Sequence, residues 1–157
     1  MTPCLKIAQK AGIDYKLHEY VHDTSRESYG AEAAEKLGVP EERLFKTLIV
    51  SLDNRDLAVG LVPVSSMLNM KRIAKAAGAK KAGMAISADV ERSTGYVLGG
   101  VSPLGQKKKL KTIIDSSAQD FSTIYVSAGR RGLQIELSPK DLQKLTSGVF
   151  ADICQEG

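Results

Sequence analysis

The sequence has few of the side chains that usually build an active site or a metal centre. It holds two cysteines and two histidines in 157 residues, and it contains neither a C-x-x-C nor an H-E-x-x-H motif, which argues against a zinc site. Cys4 and Cys154 lie near opposite ends; a disulfide between them is possible, but two reduced thiols are the stronger expectation for a cytosolic chain. His18 and His22 are spaced for metal binding on a helix, but their segment is predicted to be a strand, which favours ordinary surface histidines.

Catalytic fingerprints are missing as well. The chain has no G-x-S-x-G elbow, no Walker A loop and no dinucleotide-binding glycine motif. Both cysteines fall in terminal segments, which are poor places for a shielded nucleophile. If the chain is an enzyme, it lacks a strong nucleophile of its own.

Long apolar runs are also absent. None approaches the roughly 20 residues that span a bilayer, and the N-terminus lacks a signal-peptide pattern, so we expect a cytoplasmic protein with no membrane partner. What is present, 43% apolar and 25% charged residues, is typical of a globular protein. The length is that of one ordinary domain, which we expect to cover residues 1–157. A net charge of +4 weakly favours a polyanionic partner.

Hydrophobic periodicity, capping residues and glycine stops predict helices and strands in an irregular order. We expect helices at 1–12, 28–38, 69–78, 87–95 and 138–145, and strands at 13–20, 44–52, 57–64, 109–115, 122–129 and 133–137. In the first strand Leu17 falls on the apolar face and His18 on the polar face. Because there is no regular β-α-β alternation, the predicted class is α+β, with a mixed, mostly antiparallel sheet curled into a partial barrel and flanked by helices.

Lys46 is the first candidate for chemistry. In strand 44–52 it shares one face with Leu48, while Phe45 and Thr47 occupy the other, and both faces are otherwise apolar, as in a central strand. Because an unpaired buried ammonium is very costly, Lys46 must reach solvent or a pocket. Two interpretations stay open: a lysine that extends into solvent at a strand end, and an anion-binding cation in a cleft.

The stretch YVLGGVSPLGQKKKLKTIID (96–115) combines three glycines, a proline and a lysine run. Gly99 and Gly100, followed by Pro103, indicate a loop with unusual dihedral angles and accessible N–H groups, which can bind an anion or a developing oxyanion. A tight turn is the alternative. The basic residues nearby form either a solvated face or a phosphate-binding surface; they are Lys107, Lys108, Lys109, Lys111, Arg130 and Arg131.

Three segments resemble the YbaK proteins, free-standing relatives of the bacterial prolyl-tRNA synthetase editing domain. They are GAEAAEKLGVPEERLFKTLIV (30–50), STGYVLGGVSPLGQKKKLKTIID (93–115) and IYVSAGRRGLQIEL (124–137). The resemblance covers nearly the whole chain. Lys46 stands at the family's invariant lysine, Gly99 and Pro103 fit its G-x-x-x-P loop, and Tyr20 and Ser127 match the tyrosine and serine that line its pocket.

This resemblance implies a fold, an activity and partners. The fold is the family's mixed α+β, barrel-like sheet with flanking helices. Members cleave the ester of mischarged tRNA in trans, acting on cysteinyl-tRNA(Pro) and cysteinyl-tRNA(Cys), with no metal or organic cofactor and with prolyl-tRNA synthetase as the associated partner. The substrate's own thiol attacks the ester carbonyl and leaves as a cyclic thiolactone, which would account for the missing protein nucleophile. The residues expected at the site are, for catalysis, Lys46, Gly99 and Gly100, and, for substrate binding, Tyr20, Phe45, Thr47, Pro103 and Ser127.

Several alternatives remain at this point. Lys46 either orients the terminal adenosine or its phosphate, or assists the oxyanion. A Cβ added at Gly99 is expected to intrude on the bound ester, and the lysine run is expected near the acceptor-stem phosphates. Two other functions also fit the sequence: a non-catalytic module that binds aminoacyl-tRNA, and a deacylase for another amino acid such as alanine.

Overall fold

Five α-helices and eight β-strands follow one another irregularly in a computed structural model that describes residues 1–26 and 28–155. The helices are α1 (Pro3–Ala11), α2 (Tyr29–Leu37), α3 (Met70–Ala76), α4 (Ser87–Thr94) and α5 (Pro139–Thr146). The strands are β1 (Tyr15–Glu19), β2 (Phe45–Leu52), β3 (Asp56–Pro63), β4 (Ala82–Met84), β5 (Lys111–Asp115), β6 (Ile124–Arg130), β7 (Leu133–Leu137) and β8 (Val149–Ala151). Short 3-10 helices cover Glu41–Arg43 and Ser116–Asp120. None of the described helices is long and apolar enough to cross a membrane.

The strands form two sheets. One is antiparallel, in the order β1-β7-β6, and the other has the order β4-β2-β3-β5-β8. In the larger sheet β2 pairs antiparallel with β3 and β4, whereas β3–β5 and β5–β8 are parallel. A bridge between Leu44 and Tyr125 joins the sheets. The α+β class with mostly antiparallel pairing is confirmed, and the expected curled sheet takes the form of two joined sheets that do not close into a barrel.

Strand β2 separates two apolar cores, as its two apolar faces predict. Phe45 and Ile49 pack into the larger core, while Val50 and Leu52 pack into a second core with Ile73 of α3. Because side chains alternate along a strand, a strand that is apolar on both faces must be covered on both. The predicted central position is confirmed, since β2 lies between β4 and β3.

The first strand corrects one expectation. Leu17, predicted on the buried face, is 44% exposed, because β1 lies at the edge of its sheet. His18, predicted to face solvent, is half-buried, and its ring centroid lies 5.1 Å from that of Tyr125. The polar face of this sheet is therefore covered, and α2 covers it by packing Ala33 and Ala34 with Tyr125.

The other differences concern short elements. Strands β4 and β8 have three residues each, too few to show a period of two. The predicted glycine stops are confirmed at Gly12, Gly38 and Gly95, which cap α1, α2 and α4 in the left-handed conformation.

The segment that joins α4 to β5, residues 95–110, is fixed against helix α1. The Tyr96 hydroxyl donates a hydrogen bond to the carbonyl of Leu104 at 2.6 Å. Gly105 has a φ of +71°, and a Cβ built there would lie 2.6 Å from the carbonyl carbon of Pro3. Only a residue without a side chain permits this approach, so Gly105 anchors the segment that carries Gly99.

We expect Gly105→Ala to destabilise the protein more than Gly12→Ala. Both glycines have a left-handed φ, but a Cβ at Gly12 would meet nothing within 4 Å. The conformational penalty of about 1–2 kcal/mol is shared by both variants, whereas overpacking against the Pro3 backbone adds about 1–3 kcal/mol for Gly105→Ala alone. Urea unfolding of the two variants measures the difference. If both variants lose the same free energy of unfolding, the close approach of Gly105 to α1 does not contribute to stability.

Candidate active site

A cleft of about 300 Å³ opens where the two sheets meet. Its walls come from the end of β1, the start of α2, the first half of β2, the turn at 97–100, and the neighbouring strands β6 and β7. The residues that line it are Tyr20, Ser28, Tyr29, Gly30, Leu44, Phe45, Lys46, Thr47, Leu48, Leu98, Gly99, Val101, Ser127 and Gln134. The cleft thus draws on segments that are distant in sequence.

Six of the expected site residues line this cleft: Tyr20, Phe45, Lys46, Thr47, Gly99 and Ser127. Gly100 lies behind the lining, where its N–H donates to the Val97 carbonyl at 3.0 Å. Pro103 lies elsewhere, buried beside a separate pocket of about 190 Å³ that Ile7 of α1 also lines. The roles expected of these residues remain predictions.

Lys46 brings an unneutralised cation to the cleft. It is half-buried, and among the described residues it forms no ion pair. Burial lowers the pKa of its ammonium, because a charged group loses hydration away from water. A ligand carrying negative charge would restore that lost stabilisation, so the position favours an anion or a developing oxyanion.

The Gly99 loop is a tight turn that also lines the cleft, and the oxyanion role expected of it stays a prediction. The Val97 carbonyl and the Gly100 N–H close the turn, and Gly99 at its third position has a φ of +88°, as a type II turn requires. Within the described residues the Gly99 N–H makes no hydrogen bond. It is therefore available as a donor to a ligand.

The surroundings of Gly99 give a different reason for glycine than the one expected. A Cβ there would lie 2.5 Å from Nε of Arg131 and 2.8 Å from Cε2 of Tyr29. The guanidinium of Arg131 lies 4.0 Å from the centre of the Tyr29 ring, and its Nη2 donates to the Leu98 carbonyl at 3.2 Å. Glycine thus allows an arginine–tyrosine stack to form the rim of the cleft.

A buried ionic network supports this rim. Glu32, which is fully buried, accepts hydrogen bonds from Nδ1 of His22 at 2.6 Å, the Asp23 N–H at 2.8 Å and Nζ of Lys36 at 3.0 Å. The ring of His22 lies edge-on to Tyr29, with centroids 5.6 Å apart. Burial raises the pKa of Glu32, but the bonds from His22, Asp23 and Lys36 outweigh it and hold the pKa at about 2. His22 is thus a partner of a buried carboxylate.

Two polar atoms at the cleft lack partners. Among the buried side-chain atoms of the described residues, Oγ1 of Thr47 and Oε1 of Gln134 make no hydrogen bond, and Gln134 is only 7% exposed. An unsatisfied buried polar group costs about 1–3 kcal/mol. Sequence reasoning missed Gln134 because it alternates with Leu133 and Ile135, which is the pattern of a solvent-facing residue.

Neither cysteine lines the cleft. Both are free thiols, as expected. Burial raises the pKa of Cys4 to about 11, and burial together with the nearby Asp115 carboxylate raises that of Cys154 to about 11. Both thiols are protonated at neutral pH, so neither supplies a thiolate nucleophile.

The lysine run lies away from the cleft. The backbone N–H groups of Lys107 and Lys108 donate to the end of α4, and the run borders a groove with Ser51 and Arg55. Ser51 is five residues beyond Lys46 along β2, which is about 16 Å at the usual rise of a strand. Arg131, another of the basic residues from the sequence analysis, stands at the rim of the cleft against Tyr29 and Leu98.

A larger groove, of about 520 Å³, lies between the second 3-10 helix and α5. Phe121, Phe150 and Ser138 line it. None of the expected site residues reaches this groove, so the smaller cleft is the candidate active site.

Comparison with known proteins assigns the family. The aminoacyl-tRNA editing domain matches residues 25–145. The chain belongs to this family. The match confirms the resemblance to editing-domain proteins found in the sequence.

Individual relatives agree with the assignment. EbsC of Enterococcus faecalis, which carries the provisional name Cys-tRNA(Pro)/Cys-tRNA(Cys) deacylase, is 40% identical over 153 residues, covering 97% of this chain and 92% of EbsC. A proline–tRNA ligase of Trichlorobacter lovleyi is 27% identical over 120 residues, which are 76% of this chain but 21% of the ligase. A crystal structure described as a trans-editing enzyme for prolyl-tRNA synthetase has the same fold, with a TM-score of 0.83, 22% identity and 99% of both chains covered.

We expect Glu32 to make stability depend on acid pH. Its pKa in the folded protein, about 2, lies below the ordinary 4.5, so its contribution is present above about pH 4.5 and is lost as the pH falls towards 2. Urea unfolding at pH 7, 4.5, 3 and 2 should show a steeper loss for the wild type than for Glu32→Gln. Parallel pH profiles for the two proteins would contradict this prediction.

Proposed function

We propose that this chain is a trans-acting deacylase that removes cysteine from Cys-tRNA(Pro), and from Cys-tRNA(Cys). The observation that carries the proposal is a cleft that combines an unneutralised Lys46 and an unused Gly99 N–H with no cysteine of its own. Such a site can stabilise negative charge on an ester but must obtain its nucleophile elsewhere. The 40% identity to EbsC supports the same substrate.

Positioning is the first contribution of the protein. A cleft of about 300 Å³ has room for an aminoacyl group and part of the terminal ribose. Holding the ester so that the cysteine sulfur approaches the carbonyl carbon turns a flexible ester into a near-attack geometry. The apolar residues Phe45 and Leu48, which both line the cleft, limit the freedom of the aminoacyl group.

The chemical step then uses the substrate thiol. With a pKa of about 8.5, a thiol is ionised to a few per cent at neutral pH and is strongly nucleophilic. Its sulfur forms a bond to the carbonyl carbon, and the carbonyl electrons move onto the oxygen, where the Gly99 N–H and the Lys46 ammonium stabilise the charge. When the carbonyl re-forms, the ester C–O bond breaks, the ribose oxygen leaves and takes a proton, and the cysteine departs as a thiolactone. No metal or organic cofactor enters this step.

Lys46 has two roles open to it within this proposal. One is direct stabilisation of the oxyanion, and the other is an ion pair with the phosphate of the terminal adenosine. The first lowers the barrier without improving binding, whereas the second improves binding as well. The separate effects of a substitution on kcat and KM therefore distinguish them.

Prolyl-tRNA synthetase is the partner that we propose. Matched proline–tRNA ligases contain a related segment that amounts to about a fifth of their length. A free-standing domain with the same cleft would act on product that the synthetase releases, in the cytoplasm where translation takes place.

A non-catalytic role is the second candidate, and the missing nucleophile favours it. A module that only binds aminoacyl-tRNA would protect the ester, and would do so in proportion to its concentration. A catalyst removes the ester at protein concentrations far below that of the tRNA. Following Cys-tRNA(Pro) over time at both ratios decides between the two.

We predict that Lys46→Ala lowers kcat/KM for Cys-tRNA(Pro) at least about tenfold, equivalent to about 1.4 kcal/mol of transition-state stabilisation. The reason is the loss of the cation that faces the ester. Lys71→Ala, which removes an exposed lysine of α3, is the matched control and should retain wild-type turnover. Unchanged turnover by a folded Lys46→Ala protein would refute the assignment.

We predict that seryl-tRNA(Pro) and alanyl-tRNA(Pro) are cleaved far more slowly than cysteinyl-tRNA(Pro). Serine has nearly the size of cysteine, but its hydroxyl is scarcely ionised at neutral pH and is a weak nucleophile without a base. The Cys4→Ala, Cys154→Ala double variant should retain the wild-type rate, because neither thiol lines the cleft.

Deacylation of the three substrates under one condition is the measurement. If alanyl-tRNA(Pro) is cleaved as fast as the cysteinyl substrate, the site activates water or prefers alanine, and the thiol mechanism is wrong. If the double variant is folded but inactive, the nucleophile belongs to the protein.

A further inference from the structure

A groove of about 490 Å³ lies at the end of β2 opposite to the cleft. The turn that joins β2 to β3, helix α4 and residues 108–111 line it. All of its lining residues except Leu57 and Leu110 are polar, and none of the described residues in the lining is aromatic. We call it the basic groove, because its charged residues are Arg55, Arg92, Lys108, Lys109 and Lys111, with Asp56 and Asp89.

The basic groove holds most of the positive charge that the chain has in excess. Its five cations and two carboxylates give a net charge of +3, and the whole chain has a net charge of +4. The rest of the chain therefore carries nearly equal numbers of both signs. A concave surface lined by one sign of charge focuses its field and attracts ligands of the opposite sign. The groove thus suits a polyanion.

The protein's own carboxylates leave most of these cations unneutralised. Among the described residues, Arg92 is paired with a carboxylate of its own helix, and the other cations of the groove form no ion pair. Lys109 and Lys111 donate to neutral oxygens at 2.9 and 2.8 Å. The side chains of Arg55 and Lys108 make no hydrogen bond within that part of the chain. A ligand with several negative charges would supply the missing partners.

The arrangement of the cations favours a chain of phosphates over a single small anion. They come from three segments, and Lys108 and Lys111 alone are up to about 10 Å apart along the backbone. Phosphates of a nucleic acid strand repeat along its axis at about 3.4 Å, so one strand can meet several cations at once. Because no aromatic side chain is present for base stacking, the groove would contact the backbone and would not read the sequence.

The distance between the groove and the cleft matches the end of a tRNA. Ser51, which lines the groove, is five residues beyond Lys46, or about 16 Å along β2. A tRNA ends in roughly four unpaired nucleotides, which span about 14 Å when they are stacked at about 3.4 Å each. With the aminoacyl end in the cleft, the first phosphates of the acceptor stem therefore lie at the distance of the groove.

We propose that the basic groove binds the phosphate backbone of the acceptor stem while the aminoacyl end occupies the cleft, an inference that rests on the proposed deacylase function. The contact is made equally in the ground state and in the transition state, so it lowers KM and leaves kcat unchanged. It is independent of sequence, which allows the same groove to serve tRNA(Pro) and tRNA(Cys).

The test removes the two cations that have no partner in the protein. The Arg55→Gln, Lys108→Gln double variant should keep the unfolding temperature of the wild type and lose about tenfold in kcat/KM for Cys-tRNA(Pro) at low salt, through KM. The slope of log Kd for tRNA against log salt concentration should become shallower by about 1.5. Lys16→Gln, Lys140→Gln removes the same charge from exposed positions outside the groove and should change neither quantity.

A short substrate separates the groove from the cleft. The cysteinyl ester of a CCA trinucleotide fills the cleft but has no acceptor stem, so the double variant and the wild type should cleave it at the same rate. If the double variant slows this ester as much as the full tRNA, its effect reaches the cleft through the fold, and the inference is overturned. An equal loss in the control variant would overturn it as well, since net charge alone would then explain the effect.

The inference remains testable if the wild type cleaves neither ester and the proposed function fails. Binding of uncharged tRNA at several salt concentrations then compares the wild type with the double variant. Equal affinities and equal salt slopes would overturn the inference. If the double variant binds tRNA normally but no longer associates with prolyl-tRNA synthetase, the groove docks a protein, and the assignment to the acceptor stem is wrong.

Discussion

The site depends on the junction at which β2 leaves its own sheet to touch β6. Leu44 and Tyr125 form this junction, and both are almost fully buried. The first residues of β2, which follow Leu44, lie beside the cleft between the two sheets and line it. Further along the strand, both faces of β2 are covered by the two cores. One strand thereby supplies a cation and a hydroxyl to opposite sides of the same cleft. Any change that separated Leu44 from Tyr125 would move the whole polar lining.

A site without a nucleophile places unusual weight on rigidity. Such a site accelerates the reaction by holding the ester in a reactive orientation and by presenting fixed dipoles to it. Both effects require that the residues around the ester keep their positions. The chain meets this demand by stacking Arg131 on Tyr29 and by fixing the adjoining segment to the fully paired carboxylate of Glu32. A buried polar network of this kind stabilises one arrangement when every member is satisfied. The polar atoms left unsatisfied are those that line the cleft.

Much of the fold could be predicted because its longer elements have clear periods and marked ends. Lys46 was conspicuous on sequence alone, since it interrupts an apolar strand. Tyr20 and Ser127 came from the family resemblance, and no local pattern singles them out. Gln134 and Glu32 were out of reach because a strand or helix pattern separates a polar face from an apolar one but does not reveal that another element covers the polar face.

The lysine run was misplaced for a related reason. Its nearness to Gly99 in sequence suggested nearness in space, but residues 95–110 fold back along α4 and α1 and deliver the lysines to the other end of β2. Short strands such as β4 form because a neighbouring strand pairs with them. Three residues are too few for the sequence to show the alternation of a strand.

Because the residues that line the cleft are distant in sequence, the cleft can form only late during synthesis of the chain. Its lining begins at Tyr20 and is complete only at Gln134, and the central strand β7 pairs with both β1 and β6. During synthesis β1 has no partner strand until β7 is made more than a hundred residues later, and such long-range closure is slow. A nascent or truncated chain that ends before β7 has Lys46 and the Gly99 turn but lacks Gln134 and the strand that joins β1 to β6. The chain therefore cannot form a complete cleft for an aminoacyl end until β7 has been synthesised, when most of the chain has left the ribosome.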